Sequence, residues 1–352
     1  MTTKVLLCGG ATAGHIEPAL NVAKELVSLG ASCEFVGTVR GLDRQLISAA
    51  NFPLHLINPV PLPRTINFDL LLLPFRMTAA VIQSVKICKK LRPDVVIGFG
   101  SFVALPTYLA ARFLRIPLVI HEANSKPGIA NKIGARLAQV VFQTVENSIQ
   151  GAKTVGTPLR SVYDEFDRAT LRARGIAEFG LDSTLRTLLV FGGSQGARHI
   201  NEVVNEISER LTNDPLQILH VVGRNNTDQI LNRSHHHYRE YVLDMSLAYA
   251  VADLAICRSG ALSVAEIAAT NTPAIFVPFP IGNGEQEKNA KERIDIGAAS
   301  MVLDRDLNGI TLLREVETSL INLTTMQQCG ASHTPINATQ TIAKAAIALT
   351  QA

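Results

Sequence analysis

Apolar positions along this chain follow two alternating patterns. Short unbroken runs, beginning with Val5-Leu6-Leu7-Cys8, are the signature of strands buried on both faces. Between them lie longer stretches in which apolar residues return every three or four positions. Ile16, Ala19, Leu20, Ala23, Leu26 and Val27 mark one face of such a helix, with Pro18 suited to its first turn. Further strands are predicted at 33–36, 95–97, 118–120 and 140–142. Buried strands alternating with helices predict a parallel sheet covered on both sides.

The layout then restarts. Residues 187–207, "TLLVFGGSQGARHINEVVNEI", repeat the opening order of strand, paired glycines, short loop and helix. Ala197, Ile200, Val203, Val204 and Ile207 mark the buried face of that helix, and strands are predicted at 218–222, 254–257 and 274–277. Two doubly wound domains in tandem account for the repeat. The expected division is 1–157, 158–335 and a final helix within 336–352 returning to the first domain. The hinge is placed at "TVGTP" (154–158).

Composition narrows the class. At 352 residues with 47% hydrophobic and 18% charged positions, the chain can bury two cores. A net charge of +3 gives no concentrated basic face for nucleic acid. Cys8, Cys33, Cys88, Cys257 and Cys329 are scattered without a CxxC pair, which supports neither zinc nor a disulfide framework. The chain enters a strand at once, without a signal-peptide pattern, and no apolar run is long enough to span a bilayer. A soluble cytoplasmic protein is expected.

Ligands of open α/β sheets collect at the carboxyl ends of the strands, where both double-glycine turns fall. Such a turn offers unpaired N–H groups and the positive end of a helix dipole, which suits phosphate; a tight reversal without ligand is the alternative. A nicotinamide dinucleotide fingerprint is weakened by Ala11, which stands where its second glycine belongs, and by Glu34, which lies within the second strand and not at its end. A third turn, Arg258-Ser259-Gly260, leads into a helix carrying Glu266, whose carboxylate can accept from two ribose hydroxyls. A capping box, Ser263-x-x-Glu266, is the competing explanation. In "PIGNGEQEKNA" (280–290), Gln286 and Asn289 suit either sugar hydroxyls or a solvated loop. "HEANSKPGIANK" (121–132) brings His121, Glu122 and Asn124 to the ligand-facing edge of the first domain, and "VIGFGSFVALP" (96–106) adds another glycine turn there. His15 heads the first helix, where the dipole disfavours the imidazolium. His235, His236 and His237 read as surface. "FDLLLLPFRM" (68–77), flanked by Arg64 and Arg76 with Lys86, Lys89, Lys90 and Arg92 downstream, fits a buried helix or shallow insertion among anionic lipids.

Seven motifs in order, "GGATAGHIEPAL", "IGFGSFVALP", "HEANSKPGIANK", "VGTPLR", "FGGSQGAR", "CRSGALSVAEIAA" and "PFPIGNGEQEKNA", cover most of the chain. In these it resembles the MurG family of bacterial N-acetylglucosaminyltransferases of peptidoglycan synthesis. The resemblance implies a GT-B fold, two Rossmann-like doubly wound domains facing a cleft. The implied reaction is inverting transfer from UDP-N-acetylglucosamine to a lipid-linked muramoylpentapeptide (lipid I), with no cofactor, metal or nucleic acid. It assigns Glu266 to the ribose, with Ala261, Leu262, Ser263, Val264 and Ala265 beside the nucleotide and Val242 near the uracil. Arg160 and Ser194 face the diphosphate, and Gln286 and Asn289 meet the sugar. Thr12, Ala13, Gly14 and Asn124 reach the donor from the first domain. Gly10, Gly14, Gly100 and Ser101 receive the acceptor diphosphate. His15 is the first candidate for general base and Glu122 the second. Peripheral attachment to the cytoplasmic face of an anionic membrane is implied, which favours docking by residues 68–77. Ala11, Ser101 and Ala123 depart from the family's usual glycine, glycine and glutamine. The other readings are a UDP-sugar epimerase and a catalytically silent UDP-sugar-binding scaffold.

Overall fold

The computed structural model describes residues 2–39, 41–60, 68–193, 196–211, 215–224, 226–231, 233–281, 284–331 and 337–351, with the side chains of 68–71 and 229 excepted. It divides into two compact units, Met1–Arg160 with Ile336–Ala352, and Ser161–Pro335.

The first unit runs β1 (Lys4–Cys8), α1 (Ala13–Ser28), β2 (Ser32–Thr38), α2 (Asp43–Ala49), β3 (Leu54–Ile57), α3 (Phe68–Leu91), β4 (Val95–Gly98), α4 (Leu105–Phe113), β5 (Leu118–Glu122), α5 (Ile129–Ala135), β6 (Val140–Gln143) and β7 (Lys153–Thr154). Its strands form a parallel sheet in the order β3-β2-β1-β4-β5-β6-β7. Because side chains alternate across a strand, Val5 and Leu7 pack with Ile16, Leu20 and Ala23 of α1, while Leu6 and Cys8 face Ala80 and Tyr108 on the other side. The strand order reverses between β1 and β4, so the turns leaving those two strands open at the switch point.

The second unit runs α6 (Arg168–Phe179), β8 (Arg186–Phe191), α7 (Arg198–Leu211), β9 (Leu216–Val221), β10 (His236–Arg239), α8 (Met245–Val251), β11 (Leu254–Cys257), α9 (Ala261–Ala269), β12 (Ala274–Phe276), α10 (Glu285–Asp295), β13 (Ala299–Met301), α11 (Gly309–Ile321) and α12 (Leu323–Ala331). Its parallel sheet has the order β10-β9-β8-β11-β12-β13, with the reversal between β8 and β11. Leu188 and Val190 pack with Ile200, Val203, Val204 and Ile207 of α7. Arg168 fastens α6 to the ends of α8 and α9, donating to the carbonyls of Tyr249 (2.8 Å), Ala252 (2.9 Å) and Thr270 (2.6 Å) and to Thr272 Oγ1 (2.9 Å). The last helix, α13 (Ala338–Leu349), belongs to the first unit, where Ile342, Ala343 and Ala346 join the core beneath α1.

Two expectations are corrected. Helix α1 begins at Ala13, so Pro18 lies in its second turn, where the ring provides no N–H for the carbonyl of Gly14. His236 is not a surface residue: it lies on β10 and is buried against His220 and Tyr238, with ring centroids 5.3 and 4.0 Å away. The run of three histidines hides a strand alternation in which only the middle side chain points inward.

Candidate active site

In the first unit, the turn from β1 to α1 delivers His15. Its Nδ1 lies 2.8 Å from the carbonyl oxygen of Phe99, the residue after β4. A carbonyl only accepts, so Nδ1 carries the proton of the neutral ring and Nε2 keeps its lone pair. Among the described residues, no side chain caps the start of α1, whose N-cap is Thr12. The first-turn N–H groups of a 16-residue helix therefore stand at the strand tips beside His15.

The β4 turn, carrying Gly100 and Ser101, is held from beneath. Tyr108, fully buried on α4, accepts from the Gly100 N–H (3.1 Å) and donates to Asn131 Oδ1 (2.9 Å). A side chain at Gly98 would place its Cβ 2.1 Å from the Tyr108 ring, so the phenol reaches the turn only because that position is glycine. Asn131 in turn donates to the carbonyl of His121 (3.1 Å) and to Glu122 Oε2 (2.9 Å). Glu122 also accepts from the backbone N–H of Asn124 (2.8 Å), from its amide (3.2 Å) and from the Gly128 N–H (3.2 Å). A carboxylate engaged by four donors organises the loop after β5. His121, buried beside it, donates from Nε2 to the carbonyl of Gly156 (2.8 Å), and burial holds its pKa down to about 4. Arg160 is the last residue of the unit's main segment. Its charge lowers the pKa of Glu17 on α1, which burial raises by more.

In the second unit, the turn from β8 contains Gly192, Gly193 and Gly196; Ser194 lies outside the described residues. The turn from β11 ends in Gly260, the N-cap of α9, so Ala261, Leu262, Ser263 and Val264 supply that helix's first turn and Ala265 and Glu266 the next. Ser263 is thus not at the cap, and the Ser263-x-x-Glu266 capping box does not form. Instead Tyr249, fully buried on α8, donates to Glu266 Oε2 at 2.9 Å. Gln286 Oε1, on the first turn of α10, accepts from the Phe279 N–H (3.0 Å), and Asn289 donates to the Ser259 carbonyl (3.4 Å). Val242 is buried between β10 and α8.

Sequence reasoning missed several of these residues. Tyr249 supports Glu266 from 17 positions away. Arg258 donates to the carbonyls of Val277 (3.2 Å) and Pro278 (3.1 Å) and to Asp304 (2.5 Å), and its guanidinium lies 5.5 Å from the Phe279 ring. Tyr108 and Asn131 were visible only as members of apolar or loop segments. Glu34, the weak dinucleotide candidate, is paired with His55 at 2.5 Å.

Residues 5–143 match the glycosyltransferase family 28 N-terminal domain, and residues 187–346 match its C-terminal domain. A UDP-N-acetylglucosamine--N-acetylmuramyl-(pentapeptide) pyrophosphoryl-undecaprenol N-acetylglucosamine transferase from Mycobacterium sp. (strain KMS) is 48% identical over 314 residues, 87% of this chain and 84% of the relative. The crystal structure of MurG from Acinetobacter baumannii is 30% identical, with a TM-score of 0.79 over 99% of this chain and 100% of that one. A UDP-GlcNAc 2-epimerase from Neisseria meningitidis superposes at TM-score 0.66 over 99% of each chain, but at 13% identity that likeness is of fold alone. The architecture is GT-B. With nearly half its residues identical across most of its length, the chain belongs to the MurG family of N-acetylglucosamine transferases, within glycosyltransferase family 28.

Proposed function

We propose that this protein transfers N-acetylglucosamine from UDP-N-acetylglucosamine to the C4 hydroxyl of the muramoyl sugar of lipid I, inverting the anomeric centre and producing lipid II. The acceptor oxygen forms a bond to C1 as the bond from C1 to the UDP oxygen breaks. The hydroxyl proton passes to a base, and the electron pair leaves with UDP. His15 Nε2 is assigned as that base, and the observation that carries the assignment is the 2.8 Å contact fixing the proton on Nδ1. Glu122 is assigned to positioning, because its oxygens already accept four hydrogen bonds. Arg160 and the N–H groups of the β8–α7 turn meet the charge growing on the diphosphate. Glu266, steadied by Tyr249, takes the ribose.

No helix among the described residues is long and apolar enough to cross a membrane. A peripheral position at the cytoplasmic leaflet is proposed instead. Phe75 on α3 is 74% exposed and Phe113 on α4 is 73% exposed, with basic residues Arg76, Lys89, Lys90 and Arg112 on the same helices.

The test is incubation of the purified protein with labelled UDP-N-acetylglucosamine, with and without a lipid I analogue. Label should enter the acceptor and nothing should change without it. Donor turnover in the absence of acceptor would make the protein an epimerase. Tight UDP binding with no transfer would make it a silent scaffold.

A further inference from the structure

The turn that carries His15 contains a residue in a costly conformation. Ala11 has φ 71°, a left-handed backbone that L-residues other than glycine avoid at roughly 1–2 kcal/mol. Leu42 and Asp43, at the head of α2, grip that residue from both sides. Asp43, the first residue of α2 and wholly buried, accepts the Ala11 N–H on Oδ1 at 3.0 Å. The N–H of Leu42 donates to the Ala11 carbonyl at 3.2 Å. Asp43 is held in turn by Thr38, whose N–H and hydroxyl donate to Oδ2 at 3.0 and 3.2 Å. The surrounding glycines clear space for this grip. A Cβ at Gly10 would lie 2.6 Å from Asp43 Oδ1, one at Gly37 3.1 Å from Asp43 Cβ, and one at Gly41 2.5 Å from the Ala11 oxygen.

Burying a carboxylate is expensive, and it is tolerated where the carboxylate satisfies backbone donors that nothing else can reach. We infer that Asp43 is a positioning residue for transfer: it clamps Ala11 in its left-handed conformation and thereby fixes where α1 starts and where His15 Nε2 points. This rests on the assignment of His15 as base. It adds a residue from the head of a different helix, 32 positions from the one it holds.

None of the clamp residues, Ala11, Thr38, Leu42 and Asp43, is assigned to the uracil or ribose, so loss of the clamp should separate two readouts. In D43N the amide can still accept from Ala11, but its NH2 end is turned against the Thr38 N–H. The expected result is a fall in kcat of about 10- to 100-fold, the scale of a misplaced catalytic group. The Kd for UDP, whose uracil and ribose are assigned to Val242 and Glu266 of the other unit, should change less than about twofold. Thr38→Val removes one of the three donors to Asp43 without altering the carboxylate, and should lower kcat by about two- to fivefold with UDP affinity again unchanged. It serves if D43N does not fold. Adding Ala11→Gly to D43N should recover part of kcat, because glycine adopts the left-handed turn without the clamp. If kcat in folded D43N or in Thr38→Val stays at the wild-type value, the inference is overturned. A parallel loss of kcat and UDP affinity would also overturn it, by showing a general defect. Failure of the wild-type protein to transfer sugar at all would instead strike the proposed function.

Discussion

Ala11 and Ser101 stand at φ 71° and 65°, one in each of the turns assigned to the acceptor diphosphate. Both are positions where the backbone asks for glycine and the sequence supplies a small residue instead. Replacing either by glycine removes the steric cost but lets the unfolded chain gain entropy, so each should stabilise the first unit by about 0.5–1 kcal/mol. Thermal unfolding should register a rise of a few degrees at most, about 2–4 °C per kcal/mol. A drop in the midpoint would show that the side chains make contacts worth more than the strain. The motif alone identified these as departures from the usual glycine, but their φ values come only from the folded turn. The same limit applies to His15. Its place at the head of a helix could be read from the spacing, whereas its tautomer depends on Phe99, 84 residues away.

Helix α3 is the element whose use the amino-acid pattern left open, since an apolar run beside basic residues fits both a core helix and a lipid-facing one. Leu73 and Met77 pack against the core while Phe75 projects outward, so the helix contributes to the core and leaves one large apolar side chain exposed for the proposed docking. Phe75→Ser should therefore weaken binding to vesicles containing anionic lipid by about three- to tenfold, with the fold unchanged, because one large side chain loses its transfer into the lipid interface. Equal binding by the variant would remove α3 as the docking element. Among the strands, β1, β4, β5, β8 and β11 were legible because both of their faces are buried and their sequences are continuously apolar. Four were not. β3 carries His55 paired on its surface, β7 has two residues, β10 alternates polar side chains at a sheet edge, and β13 is three residues long with Ser300 at its centre. Edge strands are half-solvated, and this dilutes the signal that a buried strand gives.

At the scale of the molecule, the two units bury their histidines differently. His220 and His236 in the second unit are held down to about 3 by burial, and His121 in the first to about 4. An unfolded histidine titrates near 6.5. From pH 6.5 down to about 4 the unfolded chain therefore binds protons that the folded chain refuses, and stability falls as pH falls through that window. Each uncompensated histidine contributes a slope of up to about 1.4 kcal/mol per pH unit. In the first unit burial raises the carboxyls of Asp43 and Glu17, whose desolvation cost is relieved on acidification, so they act in the opposite sense. Urea unfolding at pH 7 and pH 5 should thus destabilise the second unit more than the first. A pH-independent second unit, or a larger shift in the first, would contradict this charge assignment.

The duplication of a glycine turn at the switch point of each sheet was legible in the chain. The supports elsewhere in the site, Asp43 at the β1 turn, Tyr108 at the β4 turn and Tyr249 beside Glu266, were not, because each acts across the fold from a segment whose own pattern reads as ordinary packing or loop. The most direct test of the whole account is single-turnover transfer from UDP-N-acetylglucosamine to a lipid I analogue by the wild-type protein and by His15→Ala. The account predicts a β-linked product from the wild type. For the variant it predicts a rate lower by about 100-fold or more, with unchanged affinity for UDP. A variant that transfers at the wild-type rate, or an α-linked product, would contradict it.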